Sequence, residues 1–168
     1  MSESNLILDH NKIDQKINRI AYQIFEDNYD QSEIIMAGIA KNGYLFAEIL
    51  KERLESISDI KVNLKELVID KKNPLNSKAE LKMESSEIKN QSIVVVDDVL
   101  NSGKTMMYAL QAFLAAPLQK LSIAVLVNRS HKRFPVNADF VGLSLATTLK
   151  EHIEVSFEDP KNHIVTLS

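Results

Sequence analysis

The segment Ile93-Val94-Val95-Val96-Asp97-Asp98-Val99-Leu100-Asn101-Ser102-Gly103-Lys104-Thr105 constrains this chain more than any other. Ile93 to Val96 are consecutive branched apolar residues, the pattern of a strand buried on both faces inside a parallel sheet. Asp97 and Asp98 follow where such a strand would surface at its carboxyl end. A short loop of small and hydroxyl residues comes next. Met106, Ala109, Leu110, Phe113 and Leu114 then form the stripe of an amphipathic helix ending near Leu114. Open α/β sheets bind ligands at such junctions, because helix N-terminal amides converge there on an anion.

The loop chemistry narrows the ligand. Backbone amides of Leu100, Asn101, Ser102, Gly103, Lys104 and Thr105, with the Ser102 and Thr105 hydroxyls, suit a phosphate, and Lys104 adds positive charge. Gly103 allows close backbone approach or a positive φ. A phosphate alone has no use for two acids, whereas vicinal hydroxyls or a divalent metal do, so the ligand class is a sugar phosphate. The Gly-Lys-Thr ending does not make a nucleoside-triphosphate loop, since that motif needs glycine where Asp98 stands. The plainer alternative is an acidic turn capping a core strand.

This pattern resembles the phosphoribosyl pyrophosphate (PRPP) signature of the type I phosphoribosyltransferases. The resemblance implies that Asp97 and Asp98 act at the reaction centre on the ribose hydroxyls, touching Mg²⁺ only indirectly. It also implies that Leu100 to Thr105 hold the 5′-phosphate. A second strand-loop-helix unit repeats the logic: Ile34 to Ala37, a loop, then Leu45, Phe46, Ile49, Leu50 and Leu54 facing inward. Its loop, Ala40-Lys41-Asn42-Gly43, is similar to the pyrophosphate loop of the hypoxanthine-guanine enzymes. Lys41 would supply charge and the amides around Asn42 and Gly43 would meet phosphate oxygens. The alternative there is a plain βα turn with a solvated lysine.

Length and composition fit these expectations. A chain of 168 residues, 45% apolar, suits one domain spanning 1–168. The net charge of −3 argues against indiscriminate nucleic-acid binding but leaves room for a local basic patch. Cysteine is absent, which excludes disulfides, thiolate nucleophiles and cysteine metal sites. The four histidines lack metal-ligand spacing. A polar N-terminus and no long apolar span point to a cytoplasmic protein without a membrane partner.

Elsewhere, the spacing predicts a helix from about Asn11 to Phe25, capped by Asp9 or Asn11, and a strand within Ile60 to Ile69. Asp70 to Gln91 is different: its 22 residues include only five apolar ones, and Pro74, Ser77, Ser85 and Ser86 discourage regular structure. In the family this interval carries a mobile loop that closes over the reaction centre. Asp70-Lys71-Lys72-Asn73-Pro74 stands where uracil-type relatives have a Tyr-Arg-Asp-Asp-like sequence and purine-type relatives a Ser-Tyr pair. That departure bears on catalytic competence more than on PRPP binding.

Leu121 to Val127 reads as another buried strand, followed by Asn128-Arg129-Ser130-His131-Lys132-Arg133, which is a basic surface, a ligand contact or solvated charge. By resemblance, Asn128 faces the base. It can donate and accept, as a lactam edge requires. Ala138 to Gly142 and Leu145 to Lys150 resemble the base-covering segments, with Thr148 and Lys150 at the base edge and Leu149 on its face. The alternative is a loop between strands with no ligand.

The expected architecture is α/β: a type I phosphoribosyltransferase fold with a mostly parallel central sheet of about five strands, helices on both faces, and a small hood from about 139–168. The implied reaction transfers the 5-phosphoribosyl group of PRPP to uracil or a 6-oxopurine, releasing pyrophosphate with Mg²⁺. Implied partners are PRPP, a nucleobase or nucleoside monophosphate, and further copies of the chain in a homodimer or higher homo-oligomer. The layout also resembles the pyrimidine-operon attenuation regulators with uracil phosphoribosyltransferase activity. A non-catalytic PRPP- or nucleotide-sensing regulator that contacts RNA is therefore the second expectation.

Overall fold

A computed structural model describes residues 4–75 and 78–168. A six-stranded sheet forms its centre, in the order β4-β3-β2-β5-β6-β7. These strands are β2 (Glu33–Ile39), β3 (Lys61–Val68), β4 (Glu80–Leu81), β5 (Ser92–Leu100), β6 (Lys120–Arg129) and β7 (Phe140–Leu145). All neighbours are parallel except the short edge strand β4, which runs antiparallel to β3. The sheet thus has one strand more than expected, contributed by the interval after Asp70.

The continuous apolar run of β5 is explained by its two faces. Val94 and Val96 pack into one core with Ile13, Ile17, Phe46 and Leu50, beneath helices α1 (His10–Asp27) and α2 (Asn42–Ile57). Ile93 and Val95 point the other way, toward Met106, Ala109 and Phe113 of the segment after β5. Side chains alternate across a strand, so burial on both sides leaves no polar position. Each fully buried side chain of this size contributes about 1.5–3 kcal/mol.

Local signals set most element ends. Asp9, one of the two expected caps, accepts the Lys12 N–H at 2.9 Å and starts α1. Helix α4 follows Gly103 as Lys104–Leu110 and tightens into a 3-10 turn, Gln111–Phe113. It is therefore shorter than the stripe predicts. Leu114, expected inward, is 69% exposed, because the tightened turn rotates it off the buried face. Leu45 likewise lies on the exposed side of α2, while Phe46 and Leu50 fill the core.

The 70–91 interval holds more regular structure than its composition suggests. Besides β4, it contains α3 (Ser85–Ile88), closed by reciprocal capping between Glu84 and Glu87 and anchored by buried Ile88. Serines discourage helix interiors but suit helix starts, so Ser85 and Ser86 fall where they are tolerated. Ser77 lies outside the described residues.

The hood is a separate three-stranded antiparallel sheet in the order β1-β9-β8. It combines β8 (Ile153–Ser156) and β9 (Ile164–Leu167) with the N-terminal β1 (Asn5–Leu8). The expected boundary near residue 139 is corrected accordingly: β7 belongs to the central sheet. No described helix is long and apolar enough to cross a membrane.

Candidate active site

Strand order creates the site. The chain leaves β2 toward β3 on one side, whereas β5 pairs with β2 on the other. Loops after β2 and β5 therefore diverge from adjacent strand ends, the usual position of ligand crevices in open α/β sheets. The pairing of Gly38 with Val96 sets the two loops side by side. A cleft of about 350 Å³ opens there, with Asp97, Asp98 and the whole Leu100–Thr105 loop in its wall. Residues His152 to Val155 of the hood form the opposite wall, and Asn42 lies between the two.

Gly43 packs directly beneath the acids. A Cβ on it would lie 2.8 Å from Asp97 Oδ1 and 2.9 Å from the Val96 carbonyl oxygen, so only glycine fits. Gly43→Ala is expected to destabilise the fold by about 1–3 kcal/mol, read by chemical denaturation. Asn42 acts through its side chain: Nδ2 donates to Asp98 Oδ2 at 3.2 Å and to the Val155 carbonyl at 2.9 Å, joining acid to hood. Lys41 is exposed, and its carbonyl accepts the N–H groups of Tyr44 and Leu45 at the start of α2. The Ala40–Lys41 peptide is cis, and the Ala40 N–H donates to the Leu67 carbonyl.

The acids are unequal. Asp97 is 4% exposed; burial, reinforced by the neighbouring Asp98 carboxylate, pushes its pKa up from 3.8 to about 8, against the opposing pull of Lys71. Lys71 Nζ lies 3.2 Å from Asp97 Oδ1 and 4.0 Å from Asp98 Oδ1. The Leu100–Thr105 loop is shaped by its backbone. Gly103 has φ +86°, a left-handed conformation that favours glycine. The Ser102 carbonyl accepts the N–H groups of Arg133 and Phe134 at 2.9 and 3.0 Å, and the Lys104 N–H donates to Ser102 Oγ at 3.3 Å.

The phosphoribosyl transferase domain family matches residues 3–160. The chain belongs to the phosphoribosyltransferase family. Among curated relatives, it is 33% identical over 167 residues to "Bifunctional protein PyrR" of Latilactobacillus sakei, covering 94% of this chain and 93% of that one. It is 34% identical over 160 residues to the protein of the same name from Enterococcus faecalis, covering 91% and 89%. In fold, it superposes on a hypoxanthine-guanine phosphoribosyltransferase of Bacillus anthracis with a TM-score of 0.71 at 19% identity, covering 89% and 86%. A hypoxanthine phosphoribosyltransferase of Trypanosoma cruzi gives 0.75 at 15% identity, covering 96% and 95%. The architecture is the type I phosphoribosyltransferase fold.

In this phosphoribosyltransferase the sequence-predicted residues divide into two groups. Asn42, Asp97, Asp98 and Leu100 to Thr105 line one cleft. Ala40, Lys41 and Gly43, Asn128 near the end of β6, and Thr148, Leu149 and Lys150 after β7 are not among its lining residues, and Leu149 is 80% exposed. Arg129 connects the groups. Its guanidinium donates to Thr147 Oγ1 at 2.8 Å, to the carbonyls of Thr148 and Glu151 at 3.1 and 3.0 Å, and to Asn101 Oδ1 at 3.1 Å. The basic cluster contains Arg129, but sequence alone does not distinguish this hub from solvated charge. The Lys71 contact with both acids and the hood wall at His152 to Val155 also escape sequence reasoning, since each depends on long-range placement.

Proposed function

We propose that this phosphoribosyltransferase transfers the 5-phosphoribosyl group of PRPP to the ring nitrogen of an oxo-bearing base, uracil or a 6-oxopurine, releasing pyrophosphate in the cytoplasm. The observation that carries this reading is the single cleft in which Asp97 and Asp98 face the Leu100–Thr105 loop. The loop amides with the Ser102 and Thr105 hydroxyls would hold the 5′-phosphate, as oriented donors do for anions. The acids would take the ribose hydroxyls, and the pyrophosphate would lie toward Ala40 to Gly43.

As the glycosidic bond to pyrophosphate breaks, the ribose ring gains oxocarbenium character. The acid pair stands beside that developing positive charge, and the negative charge it carries offsets it. No protein nucleophile is needed. Among the described residues no cluster of three or more metal-ligating side chains exists. The acid pair already accommodates a cation, the Lys71 ammonium. This donor set fits Mg²⁺ carried in on pyrophosphate and held by Asp97 and Asp98 indirectly, where it would neutralise the leaving group.

Asn128 supports an oxo-bearing base. Lys132 Nζ, which can only donate, contacts Asn128 Oδ1, and one amide N–H of Asn128 donates to Ser144 Oγ at 3.5 Å, so the other N–H is left to meet a carbonyl. A second reading, a nucleotide-sensing regulator that also contacts RNA, has its own observation. Lys12, Lys16 and Arg19 share one side of α1, and burial together with those two neighbours lowers the Lys16 pKa. The chain's relatives carry the printed name "Bifunctional". RNA affinity that falls steeply with salt would favour this reading, and salt-independent or absent binding would remove it.

The 5′-phosphate assignment is tested by Thr105→Val. Both PRPP and nucleoside monophosphates carry that phosphate, so both should bind more weakly by about 1.5–3 kcal/mol, measured by calorimetric titration. Unchanged affinity for both ligands contradicts the assignment.

A further inference from the structure

Lys71 does more than sit at the start of a loop. Asp70 Oδ1 accepts the backbone N–H groups of Lys72 at 2.9 Å and Asn73 at 3.1 Å, a tight side-chain-closed turn just after β3. The turn sends Lys71 back over the carboxyl edge of the sheet. Its ammonium passes the end of β2 and reaches both acids on β5, two strands away. The acid side chains are 6% and 14% exposed, so water screens them poorly, and Lys71 is the cation that contacts them. Lys72, exposed like Lys71, contributes only its backbone N–H to the turn.

The bridge therefore spans the end of β2 and sets a cation against both acids of the site. We propose that Lys71 is the resident counter-ion of the acid pair. It readies Asp97 and Asp98 for a phosphosugar that arrives without metal, and it is expelled, with the 70–73 turn, by one that arrives with Mg²⁺. This rests on the PRPP reading above. A divalent ion near the same acids repels the ammonium, since both compete for the negative charge that the pair carries. Release of the turn is thereby tied to the metal-loaded substrate, and Lys71 acts as a positioning residue for the acids.

The test is calorimetric titration of PRPP, in EDTA and in Mg²⁺, into the wild-type protein, Lys71→Met, Lys71→Arg and Lys72→Met. Lys71→Met should lose at least tenfold in metal-free affinity and change less than threefold with Mg²⁺. Lys71→Arg should restore wild-type behaviour, and Lys72→Met should match wild type in both conditions. Hydrogen exchange supplies a second readout: Mg²⁺ with PRPP should deprotect the Lys72 and Asn73 amides of the wild-type protein, and PRPP in EDTA should not. Equal losses with and without Mg²⁺, or wild-type affinities in Lys71→Met, overturn the counter-ion role. PRPP binding by no variant in either condition is a different outcome, which removes the PRPP reading and this role with it.

Discussion

Replacing Asp97 and Asp98 together by asparagine is expected to slow phosphoribosyl transfer by about a thousandfold while leaving a folded protein. The rate falls because the ring loses the acid pair whose negative charge offsets its oxocarbenium character. Stability moves the other way. The folded protein raises the Asp97 pKa from 3.8 to about 8, so it disfavours the ionised form. Relative to a neutral side chain, the Asp97 contribution to stability is fully present below about pH 4 and is lost as pH rises toward 8. Asp97→Asn removes that slope. At pH 8 it should exceed wild type by about 1–3 kcal/mol, and the gap should close toward pH 4. Melting curves across this range, alongside pyrophosphate release, check both halves. An unfolded double variant, or one with undiminished turnover, contradicts the role of the acids.

Arg129→Met should cost the protein its base affinity while sparing its phosphate affinity. The guanidinium holds Thr147, Thr148 and Glu151 against the end of β6 and ties them to Asn101. Without it, four oxygen acceptors lose their charged donor, and the 147–151 segment, proposed to cover the base, loses its anchor. Removing hydrogen bonds to a charged group costs about 1.5–3 kcal/mol each, before compensation by water. The KM for the base is expected to rise by about 10–100-fold, with the affinity for PRPP changed less than threefold. Equal losses for both ligands would mean that Arg129 supports the phosphate loop instead.

The parts of the fold that were legible in sequence share a physical cause. Ile93 to Val96 read as a doubly buried strand because every position is apolar, and each packs into one of two cores. The acids and the Gly103 turn were legible because carboxylates and glycine at a strand end have few other uses. Leu114 misled because a helical stripe does not reveal where the helix tightens. Serines and few apolar residues in 70–91 concealed β4 and α3, whose stability comes from pairing with β3, reciprocal capping and buried Ile88. The hood was only half legible, since β1 joins β9 from the far end of the chain. In sequence Lys71 and Arg129 read as either solvated charge or ligand contacts, and it is the strand order that brings them to the acids and to Asn101.

Pyrophosphate release from PRPP and Mg²⁺, with uracil, hypoxanthine, guanine and xanthine offered singly, is the most direct test of the transferase. Release should require an added base, favour one of these oxo-bearing bases, and fall to background in the Asp97→Asn, Asp98→Asn double variant. PRPP binding without release on any of the four bases would contradict catalysis at this cleft and leave nucleotide sensing as its role.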